Sequence, residues 1–157
     1  MAADSSRRTP GETPLLLDAM VGKLATYLRM CGFDAAYALD RGIEADDALL
    51  DLAREEDRLL VTRDAELASR ADGLLIYSRD VTDQLRELAD AGFALELSEP
   101  ARCAECNGEL VAVESDDSTP EYAPDVGETR VWRCPDCGQH FWKGSHWESV
   151  AATLAGL

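Results

Sequence analysis

Four of the five cysteines constrain this chain more tightly than any other residues. They form two pairs, Cys103-Ala-Glu-Cys106 and Cys134-Pro-Asp-Cys137, with 27 residues between them. Two thiolates at i and i+3 reach one ion from a tight turn, and two such turns complete a tetrahedron of sulfurs. Gly108 and Gly138, just past each pair, suit the chain reversal. The intervening residues must therefore leave one knuckle and return to the other. Two disulfides or a thioredoxin-like redox pair would use the same residues. A chain without a visible signal peptide reads as cytoplasmic, which disfavours disulfides, and a repeated knuckle disfavours a single redox site. Structural zinc on Cys103, Cys106, Cys134 and Cys137 is the expectation. Four thiolates leave no open position, so such an ion folds the module rather than catalysing. The fifth cysteine, Cys31, falls on an apolar helix stripe and reads as core.

Upstream the pattern is different. Leu59-Leu60-Val61-Thr62 is an aliphatic run that stops at Arg63-Asp64, the mark of a short buried strand. Leu15-Leu16-Leu17 is a similar run ending at Asp18. Between them, Met20, Val21, Leu24, Leu28 and Cys31 recur at helical spacing, with Gly32 as the stop signal. Phe33 to Leu39 reads as a strand, Glu44 to Glu56 as an amphipathic helix, and Ala65 to Ala71 as a short helix. Leu74 to Tyr77 reads as a strand, Val81 to Ala91 as a helix, and Phe93 to Leu97 as a last strand. Strands alternating with helices of this length predict an α/β fold with a mostly parallel sheet. The expected division is a polar disordered leader over 1–14, an α/β domain over 15–98, and a cysteine module with a C-terminal helix over 101–157. Within the last, 115–129 reads as a flexible acidic insert, and the closing helix starts at Ser145 with Trp147, Val150 and Leu154 packing inward.

Composition bears mainly on partners. The chain carries 31 acidic residues against 15 Lys plus Arg, a net charge of −16. Both halves share the excess, with 21 acids and 11 bases in residues 1–100 and ten acids and four bases in the remainder. A dispersed excess, with only Lys23 and Lys143 as lysines, reads as a salt-adapted, halophilic surface; an ordinary acidic protein kept soluble by its charge is the plainer alternative. At low salt such charge opposes nucleic acid binding. At molar salt the Debye length is about 3 Å, and only close contacts count. No apolar run is long enough to span a membrane.

Chemistry in open α/β sheets gathers beyond the carboxyl ends of the strands. Asp18 and Asp64 stand there, and Asp46 opens the helix between those strands. If the strands are neighbours, the three carboxylates converge, and a divalent cation relieves their repulsion. Oxygen-only ligands suit magnesium or manganese, with Lys23, Arg29 or Arg63 near the phosphate of a substrate. Plain readings stand beside this one: any of the three aspartates serves equally well as a helix cap or first-turn residue.

Asp18-Ala-Met-Val-Gly22-Lys23-Leu24-Ala25, Tyr27-Leu28-Arg29 and Cys31-Gly32-Phe33-Asp34 resemble the opening of the Mut-seven C-terminal RNase domain family. Asp46 through Ala53 and Leu60-Val61-Thr62-Arg63-Asp64 are similar to its second block. Arg102-Cys103 to Gly108, Cys134 to Gly138, and Trp142 to Trp147 resemble its zinc-ribbon end. The resemblance implies a PIN-like α/β fold, a mostly parallel sheet flanked by helices, followed by a small zinc ribbon. It implies a Mg2+- or Mn2+-dependent ribonuclease acting on single-stranded or structured RNA. Asp18, Asp46 and Asp64 would be the metal-binding acids, and Lys23, Arg29 and Arg63 the basic positions. A fourth acid, frequent in PIN-like nucleases, is not singled out among Asp47, Asp80 and Asp83.

Trp132, Phe141, Trp142 and Trp147 are either ribbon core or stacking platforms for unpaired bases, with Lys143 and His146 near phosphate. The alternative function is a non-catalytic RNA-binding or adaptor protein on the same scaffold. Another is an enzyme for a small phosphate-containing substrate.

Overall fold

The structure, a computed structural model, describes residues 8–157. Its centre is a four-stranded, all-parallel sheet in the order β2-β1-β3-β4. The strands are β1 (Leu15–Leu17), β2 (Ala35–Tyr37), β3 (Leu59–Thr62) and β4 (Leu74–Leu75). β1 lies between β2 and β3, with Leu17 opposite Tyr37 on one side and Val61 on the other.

The aliphatic runs explain why this sheet forms. Successive side chains point to opposite faces, so a strand buried on both must be apolar throughout. Leu15, Leu17 and Val61 join one core with Leu24 and Leu28 of α1 (Gly22–Met30) and Leu85 and Leu88 of α4 (Val81–Asp90). Leu16 and Leu60 join a second core with Leu49, Leu50 and Ala53 of α2 (Asp46–Glu55) and Leu67 of α3 (Ala65–Ala71). Two helical layers thus sandwich the sheet. Cys31 is buried in the first core, and its thiol is pushed up to about 12 by burial and then by the nearby Glu96 charge. It is a core residue.

The second sheet has three antiparallel strands, β5 (Val111–Ala112), β6 (Trp132–Arg133) and β7 (His140–Phe141). β5 and β6 lie between the two cysteine knuckles in the chain, and β7 follows the second. A closing helix, α5 (Ser145–Ala155), follows, with Val150 buried and Leu154 packed against the first core.

Four expectations change. The strand expected over Phe33–Leu39 is shorter, because residues Ala38–Arg41 tighten into a 3₁₀ turn ended by left-handed Gly42. The last strand, Phe93–Leu97, is absent. Phe93 makes only an isolated parallel bridge to Arg8, and Glu96 N–H bonds Ala94 C=O, a three-residue turn that ends extension. The leader reading lies, for residues 1–7, outside the described residues. Residues 8–14 are tied down: Arg8 N–H donates to Gly92 C=O, its C=O accepts from Ala94, and its guanidinium lies 5.5 Å from the Phe93 ring centroid. The 115–129 insert is folded onto the ribbon rather than loose, since Tyr122 Oη accepts from the His140 amide at 3.0 Å and Thr119 Oγ1 donates to Pro124 C=O.

Candidate functional site

The carboxyl edge of the parallel sheet begins with the register of β1 and β3. Because Leu17 pairs with Val61, Asp18 and Thr62 emerge side by side. Asp18 N–H still bonds Val61 C=O, so the ladder holds Asp18 in place. The Asp18 carboxylate is 6% exposed and has two donors: the Ala19 amide at 2.7 Å on Oδ1 and Thr62 Oγ1 at 2.7 Å on Oδ2. Thr62 Oγ1 in turn accepts the Asp64 amide at 3.0 Å. One fully buried hydroxyl therefore links the two strand-end aspartates, donating to one and accepting from the other's backbone. Thr62 escaped the sequence reading. A hydroxyl ending an otherwise aliphatic strand, two residues before an aspartate, is the signal that would find it.

Asp64 caps α3, its Oδ1 accepting from the Glu66 and Leu67 amides. Asp18 likewise caps the 3₁₀ turn Ala19–Val21. For these two the capping reading is true as geometry, yet neither cap uses Asp64 Oδ2. Asp46 does not cap: it is the first residue of α2, exposed, and the cap position is Ala45. Since α2 carries the chain from beyond β2 back to the start of β3, Asp46 begins on the carboxyl side of the sheet. The three carboxylates are not drawn into one cage. Among the described residues, the four cysteines are the only group of three or more metal-ligating side chains whose ligand atoms all lie within 4.8 Å of one another.

The three basic candidates separate. Lys23, at the start of α1 close after Asp18, is exposed and makes no hydrogen bond or ion pair among the described residues. Arg63 is half-buried between Thr62 and Asp64, and its Nε is buried without a hydrogen-bond partner. Its charge helps hold the Glu87 carboxyl below the usual range: burial opposes, and the Tyr77 and Ser78 amides outweigh it. Arg29 goes elsewhere. It is 3% exposed, its Nε donating to Ala35 C=O at 2.9 Å and its Nη1 to Ala104 C=O at 3.1 Å, with Asp40 at 3.4 Å. It clamps the outer edge of β2 to the first knuckle. Of the three acids considered as a fourth ligand, Asp47 pairs with Arg70, Asp80 caps α4 and Asp83 pairs with Arg86.

The cysteine centre is closed. Cys103 and Cys137 sulfurs stand 3.6 Å apart, and Cys106 and Cys134 sulfurs 3.5 Å. A tetrahedral ion with 2.3 Å bonds to sulfur needs about 3.8 Å between sulfurs. The residues fit a zinc ion. The Cys134 thiol is lowered: burial opposes, but the backbone amides of Cys137 and Asp136 favour the thiolate. Both knuckles close on backbone bonds from the residue after the second cysteine to the first, Asn107 to Cys103 and Gly138 to Cys134. Asn107 and Gly138 there adopt left-handed φ of 73° and 81°.

Asn107 does more than turn the knuckle. Its Oδ1 accepts the Ala35 amide at 2.9 Å and its Nδ2 donates to Asp34 Oδ1 at 2.7 Å. With Arg29 on Ala35 C=O, both outward backbone groups of this edge residue are satisfied by side chains, which blocks further strand pairing. Arg58 completes the joint, its Nη1 bonding Asp34 Oδ1 at 2.8 Å and Leu15 C=O at 3.1 Å. Burial would raise the Asp34 carboxyl, but the Arg58 and Asn107 hydrogen bonds hold it below the ordinary range.

With this geometry in hand, a match to a protein-family profile decides the family. Residues 13–154 match the Mut7-C RNAse domain. The chain belongs to that family. No curated protein and no solved structure matches it. A Mut7-C RNAse domain points to nuclease activity and to RNA as the substrate class. Among the described residues no helix is long and apolar enough to cross a membrane.

Proposed function

We propose that this protein hydrolyses RNA phosphodiester bonds at the carboxyl edge of its parallel sheet, in the 15–98 part of the chain, with the zinc-bearing 101–157 part docked beside it. The observation that carries the reading is the hydrogen-bonded link from the Asp64 amide through Thr62 to Asp18, which holds two strand-end carboxylates in a fixed relation. Mg2+ usually takes one or two carboxylates and keeps waters and substrate phosphate as its other ligands. Asp18 and Asp64, with Asp46 free on the same side, fit that open mode rather than a closed protein cage. A bound Mg2+ or Mn2+ would lower the pKa of an attacking water and polarise the phosphate.

The chain's own residues supply the rest. Thr62 orients Asp18 by donating to its Oδ2. Lys23, unpaired and exposed, meets a phosphate oxygen without breaking an existing bond. Arg63, half-buried between Thr62 and Asp64, supplies a positive charge at this edge that favours an approaching anion. We assign Arg29 a structural role at the β2 edge in place of phosphate contact.

Cleavage of labelled single-stranded and hairpin RNA with Mn2+ in concentrated KCl tests this. Asp64→Asn is the informative variant because asparagine caps a helix as well as aspartate does. Activity lost in the variant, with zinc content and melting unchanged, supports hydrolysis at this edge. Equal cleavage by both proteins overturns it. RNA binding without cleavage is the second reading, favoured by one feature: the three candidate carboxylates do not share a ligand sphere among the described residues. Intact binding and no cleavage in any divalent metal would select it.

A further inference from the structure

A cavity of about 260 Å³ lies away from the acid edge, between α1, the ribbon and the start of α5. The whole chain has two histidines and three tryptophans, and both histidines, His140 and His146, line it together with Trp142 and Trp147. In a chain with a net charge of −16, its wall carries one acid, Glu105, against Arg102 and the two imidazoles. With Glu105 balanced by Arg102, this wall lacks the acidic excess of the chain as a whole. His140 Nδ1 lies 3.0 Å from Gly138 C=O, which can only accept, so Nδ1 is the donor. His146 is exposed and makes no hydrogen bond among the described residues. Gly144, Ser145, His146 and Trp147 place the first turn of α5 against the cavity, and that helix begins without a side-chain cap.

These parts suit a planar aromatic ring joined to an anion. Indole and imidazole rings stack on unpaired bases, and imidazole with uncapped helix amides receives phosphate. We propose that this cavity binds one unpaired nucleotide of the RNA, the base against Trp142 and Trp147 and the phosphate at His146 and the α5 amides. The assignment rests on RNA being the substrate of the acid edge. α1 connects the two places: it carries Lys23 in its first turn, close after Asp18, and reaches the cavity with Thr26 and Met30. From Lys23 to Met30 the helix rises about 10 Å at 1.5 Å per residue. A nucleotide held there fixes the strand a short way from the bond to be cut.

Because there are only two histidines, their ring signals in a labelled NMR sample of the zinc-loaded full chain report directly on the cavity. Adenosine monophosphate should shift both signals saturably, and short oligoadenylate should displace it. Trp147→Ala should weaken oligoadenylate binding by about fivefold or more, the scale of one lost base stack, and His146→Ala should weaken it through the lost phosphate contact. Two unmoved histidines, or adenosine monophosphate that RNA fails to displace, would overturn the proposal, as would unchanged RNA affinity in both variants. The ring shifts need no substitution, so a variant that misfolds does not spoil the test. Hydrolysis is scored separately by Asp64→Asn. A cavity that binds RNA in a chain that never cleaves it would sink the hydrolytic reading alone, and cleavage with silent histidines would sink the cavity alone.

Discussion

At the scale of single residues, the decisive groups are polar side chains with two partners each. Thr62 is fully buried and bonded on both sides. Replacing it with valine keeps the shape and removes the hydroxyl, leaving an Asp18 oxygen and the Asp64 amide unpaired. The expected loss is about 1–3 kcal/mol in urea unfolding, with activity reduced, and Thr62→Ser should restore most of both. Asn107 has the same character at the other edge of the sheet. Asn107→Ala should lower the melting temperature by freeing the Ala35 amide and removing one of the hydrogen bonds to Asp34. Hydrogen exchange of the Ala35 amide would show whether the edge opens locally.

At the scale of elements, the sheet depends on close approaches that leave no room for another carbon. A Cβ on Gly73 would lie 2.5 Å from Leu60 C=O, a backbone atom that has nowhere to move. Gly73→Ala should therefore prise β4 from β3 and destabilise more than an exposed Gly→Ala change, measurable as a lower urea midpoint. Leu16→Ala removes a wholly buried side chain from the centre of the second core, and about 2–5 kcal/mol is expected for such a cavity. The cysteine knuckles are elements in the same sense, because their backbone bonds and left-handed residues shape the turn that brings each pair of sulfurs together.

At the scale of the whole molecule, charge and the joint between the two sheets govern behaviour. Arg41 and Arg58 hydrogen bonds hold the Glu56 carboxyl down to about 2 from an ordinary 4.5, and Asp34 is lowered as well. A carboxyl depressed in the folded state adds stability above its unfolded pKa and loses it as pH falls toward the folded value. Stability should therefore fall between about pH 4.5 and pH 2, seen as a falling melting temperature. A net charge of −16 repels itself at low ionic strength, so melting temperature should rise with added KCl as the charges are screened. Removal by chelation of the zinc expected at the four cysteines should release the first knuckle, and through Asn107 the β2 edge, while the two apolar cores still hold α1 to α4. Loss of tryptophan near-UV circular dichroism with most helical signal kept would show this.

Features carried by short spacing are legible along the chain alone. Buried strands read as unbroken aliphatic runs, helices as 3.6-residue stripes, and the metal centre as two i, i+3 thiol pairs. Each is a property of neighbours along the chain, so periodicity alone reveals it. Asp18 and Asp64 belong to the same class, since the end of an aliphatic strand is visible in the sequence. Tertiary structure decided what the long polar side chains do. Arg29 meets Ala104 across 75 positions and Asn107 meets Asp34 across 73. Nothing local to Arg29 distinguishes a phosphate contact from an edge clamp, because a guanidinium suits either and only the neighbours in space choose. The same holds for Tyr122, which anchors an insert whose composition reads as loose, and for the two histidines. Residues far apart in the chain come to one cavity only when α1, the ribbon and α5 are packed together.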